Sequence, residues 1–376
     1  MEKAKVSVIQ LFALMFLFEL GTMIVVSYGI SAKKDSWLAI LLGMFGGIAL
    51  FYIYYALFRQ YPNLPLTGYV RKIFGKYVGW IIGLLYVIYF MYVAARGLRE
   101  FGDLLVSSTL RETPLLAINI LMVLVICYVI YLGIEVLGRT AEIFIVILIS
   151  LGISGNILVY LSGSVDIDNL QPFLENGWNP VLTTAFPLTT FNPFGEAIVF
   201  TMLLPYLNRP KLVKKVWLSA VISSGLILSY TASLNIAVLG VETVERATFP
   251  LLSTIGRVNL FEFIQRLDVI VVYTLMITMF FKISIWFYCS IIGMIDLFKV
   301  KNHQHILLPA AIILIILSMI IATDYPEHIK EGLEIIQYPM HIPLFVIIPL
   351  LMLIVTLIRN RFKKKAKDEK SKSNQM

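Results

Sequence analysis

Apolar stretches of about 20 residues follow one another along most of the chain, parted by short polar segments. Ten can be drawn, at 6–31, 37–58, 79–105, 114–133, 139–161, 183–206, 212–240, 262–296, 305–323 and 341–358. A hydrocarbon core about 30 Å thick needs runs of this length if they are helices, whereas a membrane barrel shows short strands of alternating polarity. The pattern predicts an all-α integral membrane protein with ten transmembrane helices. Residues 1–358 then form a single transmembrane domain, repeat one covering about 6–161 and repeat two about 183–358, and 359–376 is a basic tail. The opening MEKAKVSV is short and basic and leads into an apolar run too long for a cleaved signal, so it reads as a retained signal-anchor.

Composition agrees. Of 376 residues, 59% are hydrophobic and 14% charged, against about 45–50% and about 25% in soluble domains. The net charge of +8 matters only once it is located: from Arg359 onward eight Lys/Arg face two Asp/Glu, leaving +2 for the rest of the chain. A basic tail behind a last span sets topology beside anionic lipid, and nucleic acid is not an expected partner. Alternating the loops from an inner N-terminus puts 21 Lys/Arg inside and nine outside, with Lys282 within a span. Both termini are therefore expected in the cytoplasm. The outer loops are acidic, with Asp166, Asp168 and Glu175 in one and Asp324, Glu327, Glu331 and Glu334 in another. Cys127 and Cys289 lie in spans without metal-ligand spacing and read as packing residues. His303 and His305 are i,i+2, a poor metal geometry, and no phosphate loop or nucleophile-and-base set is present. No metal, no cofactor and no enzymatic activity is expected. Gly43 with Gly47, and Gly79 with Gly83, are spaced to let helices approach closely.

The informative residues are ionisable groups inside spans, because each costs at least about 2.5–3.5 kcal/mol to place at mid-bilayer. Glu19 stands in the first span, Glu196 in the sixth and Lys282 in the eighth. Arg96 with Glu100, and Arg99 with Asp103, are i,i+4 neighbours that read as structural salt bridges at an outer helix end. The first span breaks at Gly21-Thr22 in FELGTMIVVSYGI. The sixth breaks at Asn192, Pro193, Phe194, Gly195 and Glu196 in PLTTFNPFGEAIVF. Taken alone, the second break is compatible with an ordinary proline kink. Together the two occupy corresponding places in halves of five spans each, and an odd number per half inverts one half against the other. Paired interruptions of that kind point to a small-molecule site at the bilayer midplane. Free N–H groups after the sixth-span break would suit an anion. Lys282 needs a carboxylate partner or a water path, and if the first and eighth spans touch, Glu19 is its natural partner, as a coupling or structural ion pair. Tyr89 and Tyr92 share a helix face and are candidates for the ligand wall.

QLFALMFLFELGT, DSWLA (35–39), NPFGE (192–196), RPKLVKK (209–215), ATFPLLS (247–253) and FKISIWFY (281–288) resemble the B subunit of spore germinant receptors, within the amino acid–polyamine–organocation transporter superfamily. The resemblance covers nearly the whole chain. It implies a LeuT-like fold of two inverted five-helix repeats with helices 1 and 6 broken around a central pocket. It implies a spore inner-membrane protein that senses a small nutrient such as an amino acid. The implied partners are a larger A subunit and a C-subunit lipoprotein. Carried onto this chain, the pocket is lined by Gly21 and Thr22, by Asn192 to Glu196, and by Lys282 and Ser284. Glu19 departs from the superfamily by adding negative charge where amino-acid carriers leave backbone N–H groups. An amino acid or amine carrier, proton-coupled through Glu19, Glu196 or Lys282, is the other reading, and a passive channel a third.

Overall fold

Helix α1 (Val8–Leu20) begins at a reciprocal cap: the Gln10 N–H donates to Ser7 Oγ at 3.1 Å, and the Ser7 N–H donates to Gln10 Oε1 at 2.8 Å. It stops at Gly21, whose φ of 39° lies in the region a side chain disfavours. The computed structural model describes residues 5–258, 267–300, 304–322, 325–332 and 336–373. Lys3, Arg266, Lys301, His303, Asp324, Glu334 and the last three residues of the tail lie outside the described residues.

Beyond Gly21 the chain runs through turns and a 3-10 segment, Ile30–Asp35, into α2 (Ser36–Gln60). Then come α3 (Leu66–Phe74), α4 (Lys76–Ser108), α5 (Leu115–Leu132) and α6 (Ile134–Leu161). The short α7 (Trp178–Thr183) continues as a π-helical run, Thr184–Phe194, and a 3-10 run, Gly195–Met202. Next are α8 (Val213–Leu239), α9 (Val241–Arg246), α10 (Pro250–Gly256), α11 (Asp268–Phe298), α12 (Gln304–Ile320) and α13 (Tyr325–Lys330). A second π-helical run, Gln337–Ile347, leads into α14 (Ile348–Ser373).

Seven of these helical stretches are long and apolar enough to cross a bilayer on their own, and Val8–Leu20 and His305–Ile320 are shorter apolar helices. The protein is an all-helical integral membrane protein. The first predicted span differs from expectation, since no second half-helix follows Gly21 directly. The sixth segment is a π and 3-10 run kinked at Phe186 and Asn192, where the dihedrals are non-helical, the second within the stretch where the break is expected. Pro187 and Pro193 each remove an N–H from the i→i−4 ladder, which favours wider or tighter turns in place of a regular α-helix.

α11 is the most enclosed of the long helices, packed against α4, α1 and α6, whereas α6 turns Ile143, Val146, Ile153 and Ile157 outward. The glycines of α2 do what their spacing suggested. A Cβ on Gly43 would collide with Thr189, and one on Gly47 with Phe194, so α2 lies directly on the irregular sixth segment. The second π-helical run is tied down by tyrosines. Tyr54 of α2 donates to the Phe345 carbonyl at 2.8 Å and Tyr86 of α4 to the Leu344 carbonyl at 2.6 Å. Both hydroxyls thereby pair buried carbonyls of this irregular run in an apolar interior.

Candidate functional site

The sixth segment touches both other irregular stretches, the end of α1 and the 337–347 run. Beside them, between α4 and α11, lies a cavity of about 60 Å³. The turn after α1 supplies Thr22 and Tyr28, and α4 supplies Tyr92, Arg96 and Glu100. Asn192 and Glu196 come from the sixth segment, Lys282 and Trp286 from α11, and His341 from the 337–347 run.

Its centre is an ion pair, with Lys282 Nζ 2.6 Å from Glu196 Oε2. This corrects the expected pairing of Lys282 with Glu19. The 3-10 turn that begins at Gly195 presents Glu196 to α11, while the fully buried Glu19 carboxyl has no hydrogen-bond partner among the described residues. Lys282 still adjoins α1, its ammonium 5.4 Å from the centre of the Phe18 ring. The end of α1 is held from α11 as well, Thr278 Oγ1 donating to the Gly21 carbonyl at 2.9 Å.

A second charged group lies beside it. Arg96 Nη1 is 2.9 Å from Glu331 Oε2, and Nη2 donates to the His328 carbonyl at 2.6 Å. Glu100 accepts from the Tyr28 hydroxyl at 3.2 Å and from Thr22. The expected Arg96–Glu100 pair is therefore not formed, because the segment around α13 offers Arg96 a carboxylate and a carbonyl. The Arg99–Asp103 pair is formed, at 2.7 Å. In the loop outside the spans, burial, with Arg96 and Arg99 near it, lowers His328 to about 3.

Of the sequence-derived candidates, Thr22, Tyr92, Asn192, Glu196 and Lys282 line this cavity. Gly21 lies against the Lys282 side chain. Pro193 and Phe194 border a separate recess of about 20 Å³. Gly195 packs on Phe345. Its N–H turns back to carbonyls of the preceding turn, so it is not one of the free donors expected for an anion. Tyr89 sits in an aromatic cluster with Trp286, His341 and Phe345, and its hydroxyl, like that of Ser284, is buried without a hydrogen-bond partner among the described residues. Arg96 and Glu100 belong to the cavity wall rather than to the helix end alone, and His341 is a wall residue that sequence reasoning does not single out. A histidine between two prolines in YPMHIP was the available signal. Among the described residues no group of three or more His, Cys, Asp or Glu is placed to hold a metal. A larger cavity of about 590 Å³, between α1, α6, α8 and α11, is apolar and has no charged residue in its wall.

Residues 5–326 match a family model described as "Spore germination protein". The chain is 40% identical to Spore germination protein KB of Bacillus subtilis (strain 168) over 372 residues, which is 99% of this chain and 100% of that one. It is 26% identical to Spore germination protein YndE of the same organism, covering 88% and 90% of the two chains. Among solved structures it resembles Mhp1, a nucleobase-cation-symport-1 family transporter, in a closed conformation with bromovinylhydantoin bound. The TM-score is 0.65 at 14% identity, over 88% of this chain and 75% of that one. At such low identity the likeness speaks for fold alone, and the fold is a LeuT-like transporter fold.

Proposed function

The chain belongs to the spore germination protein family, and from that premise we propose that it is the membrane subunit of an endospore germinant receptor. It takes a small polar nutrient, such as an amino acid, in the cavity bounded by Thr22, Asn192, Glu196 and Lys282. It acts in the spore inner membrane with both termini cytoplasmic and passes the signal to a larger A subunit and a C-subunit lipoprotein. On this reading the chain folds as two inverted five-helix repeats around that cavity. The observation that carries the reading is the cavity itself: it has charged groups of both signs, at the level where α1 ends and the sixth segment loses α-helical form. Irregular backbone inside a membrane protein is tolerated where it is enclosed or lines a cavity, and that is where binding sites of such folds form. Any ligand acts by favouring one arrangement of the bundle over another, through its difference in affinity for the two.

The test is germination of spores carrying Gly195→Leu. Gly195 packs on Phe345 beside the cavity, so a leucine there should abolish the response to amino acids while the protein still accumulates in the membrane. A wild-type response from that strain would remove the sixth segment from the site. The likeness to a transporter fold favours a second reading, an amino acid or amine carrier. Sustained uphill uptake of labelled alanine by the purified chain in liposomes would establish it against the receptor reading.

A further inference from the structure

The groups around the Lys282–Glu196 pair are unequal in charge. Two cations, Arg96 and Lys282, stand near four carboxyls, Glu19, Glu100, Glu196 and Glu331. Arg96 is paired with Glu331 and Lys282 with Glu196, while Glu100 accepts from the hydroxyls of Tyr28 and Thr22. Glu19 is 0% exposed and neither of its oxygens has a hydrogen-bond partner among the described residues. A buried carboxyl without a partner is costly, so a residue of this kind in the last turn of α1 calls for a function.

The lysine is placed to supply the missing partner. A Cβ added at Gly21 would lie 2.6 Å from Lys282 Cδ and 3.2 Å from its Nζ, so the side chain rests on the end of α1, two residues beyond Glu19. The missing side chain at Gly21 is what leaves room for it. A lysine is a compact charge on a flexible four-carbon stem, well suited to changing partners. The C-terminal end of α1 carries the negative end of the helix dipole, which favours an arriving cation. The Phe18 ring, already 5.4 Å from the ammonium, gives the charge a further favourable surface beside that helix end. Glu196 faces the cavity and Glu19 does not.

We propose that Lys282 exchanges partners. A ligand ammonium entering the cavity takes Glu196, the displaced Lys282 ammonium moves to Glu19, and the proton that keeps the isolated Glu19 carboxyl neutral leaves to water, giving two ammonium–carboxylate pairs where there was one. Ligand charge is thereby converted into a new bond between α11 and α1. Glu19 is a positioning residue in this scheme, since it meets the lysine and never the ligand. The inference rests on the proposed cavity as the ligand site, and it restricts that site to ligands bearing an ammonium group.

The experiment uses the purified full chain in nanodiscs with three probes: alanine, lactate (the same skeleton with hydroxyl in place of ammonium) and glucose. Wild type should bind alanine at least tenfold more tightly than lactate. Glu19→Gln should weaken alanine at least tenfold, leave lactate unchanged and keep the wild-type elution profile, and Glu19→Asp should recover part of the loss. In wild type, an infrared carboxyl band identified by its loss in Glu19→Gln should shift when alanine is added, a readout that a purely structural Glu19 would not give. Equal affinities of wild type and Glu19→Gln for alanine, or a carboxyl band that stays put, overturn the exchange. Binding of glucose or lactate as tight as that of alanine overturns the ammonium requirement while leaving the cavity as a ligand site. If no probe binds the wild type, the cavity reading falls and the exchange falls with it.

Discussion

Replacing Lys282 with methionine is the sharpest perturbation of the core, because it keeps an unbranched side chain and deletes the charge. Glu196 is 5% exposed and Glu19 0%, so neither carboxyl gains water in return. Removing one partner of a buried ion pair costs about 3–5 kcal/mol, most of it the penalty of stranding the other charge. Lys214 on α8 is the control: its ammonium sits 5.2 Å from the centre of the Tyr52 ring, a contact worth about 0.5–1 kcal/mol at an exposed site. In detergent micelles, unfolding followed through tryptophan fluorescence should therefore show a much larger loss for Lys282→Met than for Lys214→Met. The double variant Lys282→Met/Glu196→Gln should regain most of that loss, because no stranded carboxylate remains next to the deleted ammonium. Adding Glu19→Gln instead should regain less, since Glu196 is the partner observed at 2.6 Å. Equal losses at Lys282 and Lys214, or a better rescue by Glu19→Gln, would refute the assignment of the pair.

Three further outcomes follow from packing and protonation. Gly47→Ala should destabilise by about 1–3 kcal/mol in the same unfolding assay, because the added methyl meets Phe194. Gly152→Ala, with no atom within 4 Å of its added Cβ, should be neutral or stabilising by up to about 1 kcal/mol. Tyr54→Phe removes the buried hydrogen bond to the Phe345 carbonyl and should cost about 0.5–1.5 kcal/mol, again by unfolding midpoint. His328, lowered to about 3 in the folded chain, stays neutral there while the unfolded chain takes up a proton near pH 6.5. Its contribution is therefore flat above about pH 6.5 and destabilises by up to about 1.4 kcal/mol per pH unit as the pH falls from there toward 3. A pH series of wild type against His328→Gln isolates that slope.

Much of the membrane architecture was legible because hydrocarbon imposes it. Runs such as 114–133 and 212–240 have few alternatives to helix, and the structure places α5 and α8 within a few residues of those bounds. The close contact at Gly43 and Gly47 was legible for the same reason, since small residues at helical spacing invite a neighbour. The identity of the neighbour was not, because it depends on tertiary placement. Proline chemistry pointed to disruption at Asn192-Pro193, where the dihedrals of Asn192 are non-helical, but not to the π and 3-10 turns on either side of it. The same limit applies to the charges. That Lys282 needed a carboxylate followed from burial alone, whereas the choice of Glu196 over Glu19 turns on which way one turn of 3-10 helix faces. The partner of Arg96 was out of reach because Glu331 lies 235 positions away in the chain, beyond any local rule.

The size of the central cavity has a kinetic consequence. About 60 Å³ has room for a few water molecules, well below the roughly 300–1,000 Å³ of ordinary small-molecule pockets. A solute larger than that cannot be admitted by diffusion into a standing hole, so the bundle has to part before it can enter. Arrival would then be timed by the bundle's own opening rather than by collision frequency, and the observed association rate would level off as solute is added. A molecule built this way measures persistence as well as concentration, since a brief encounter ends before the helices have moved.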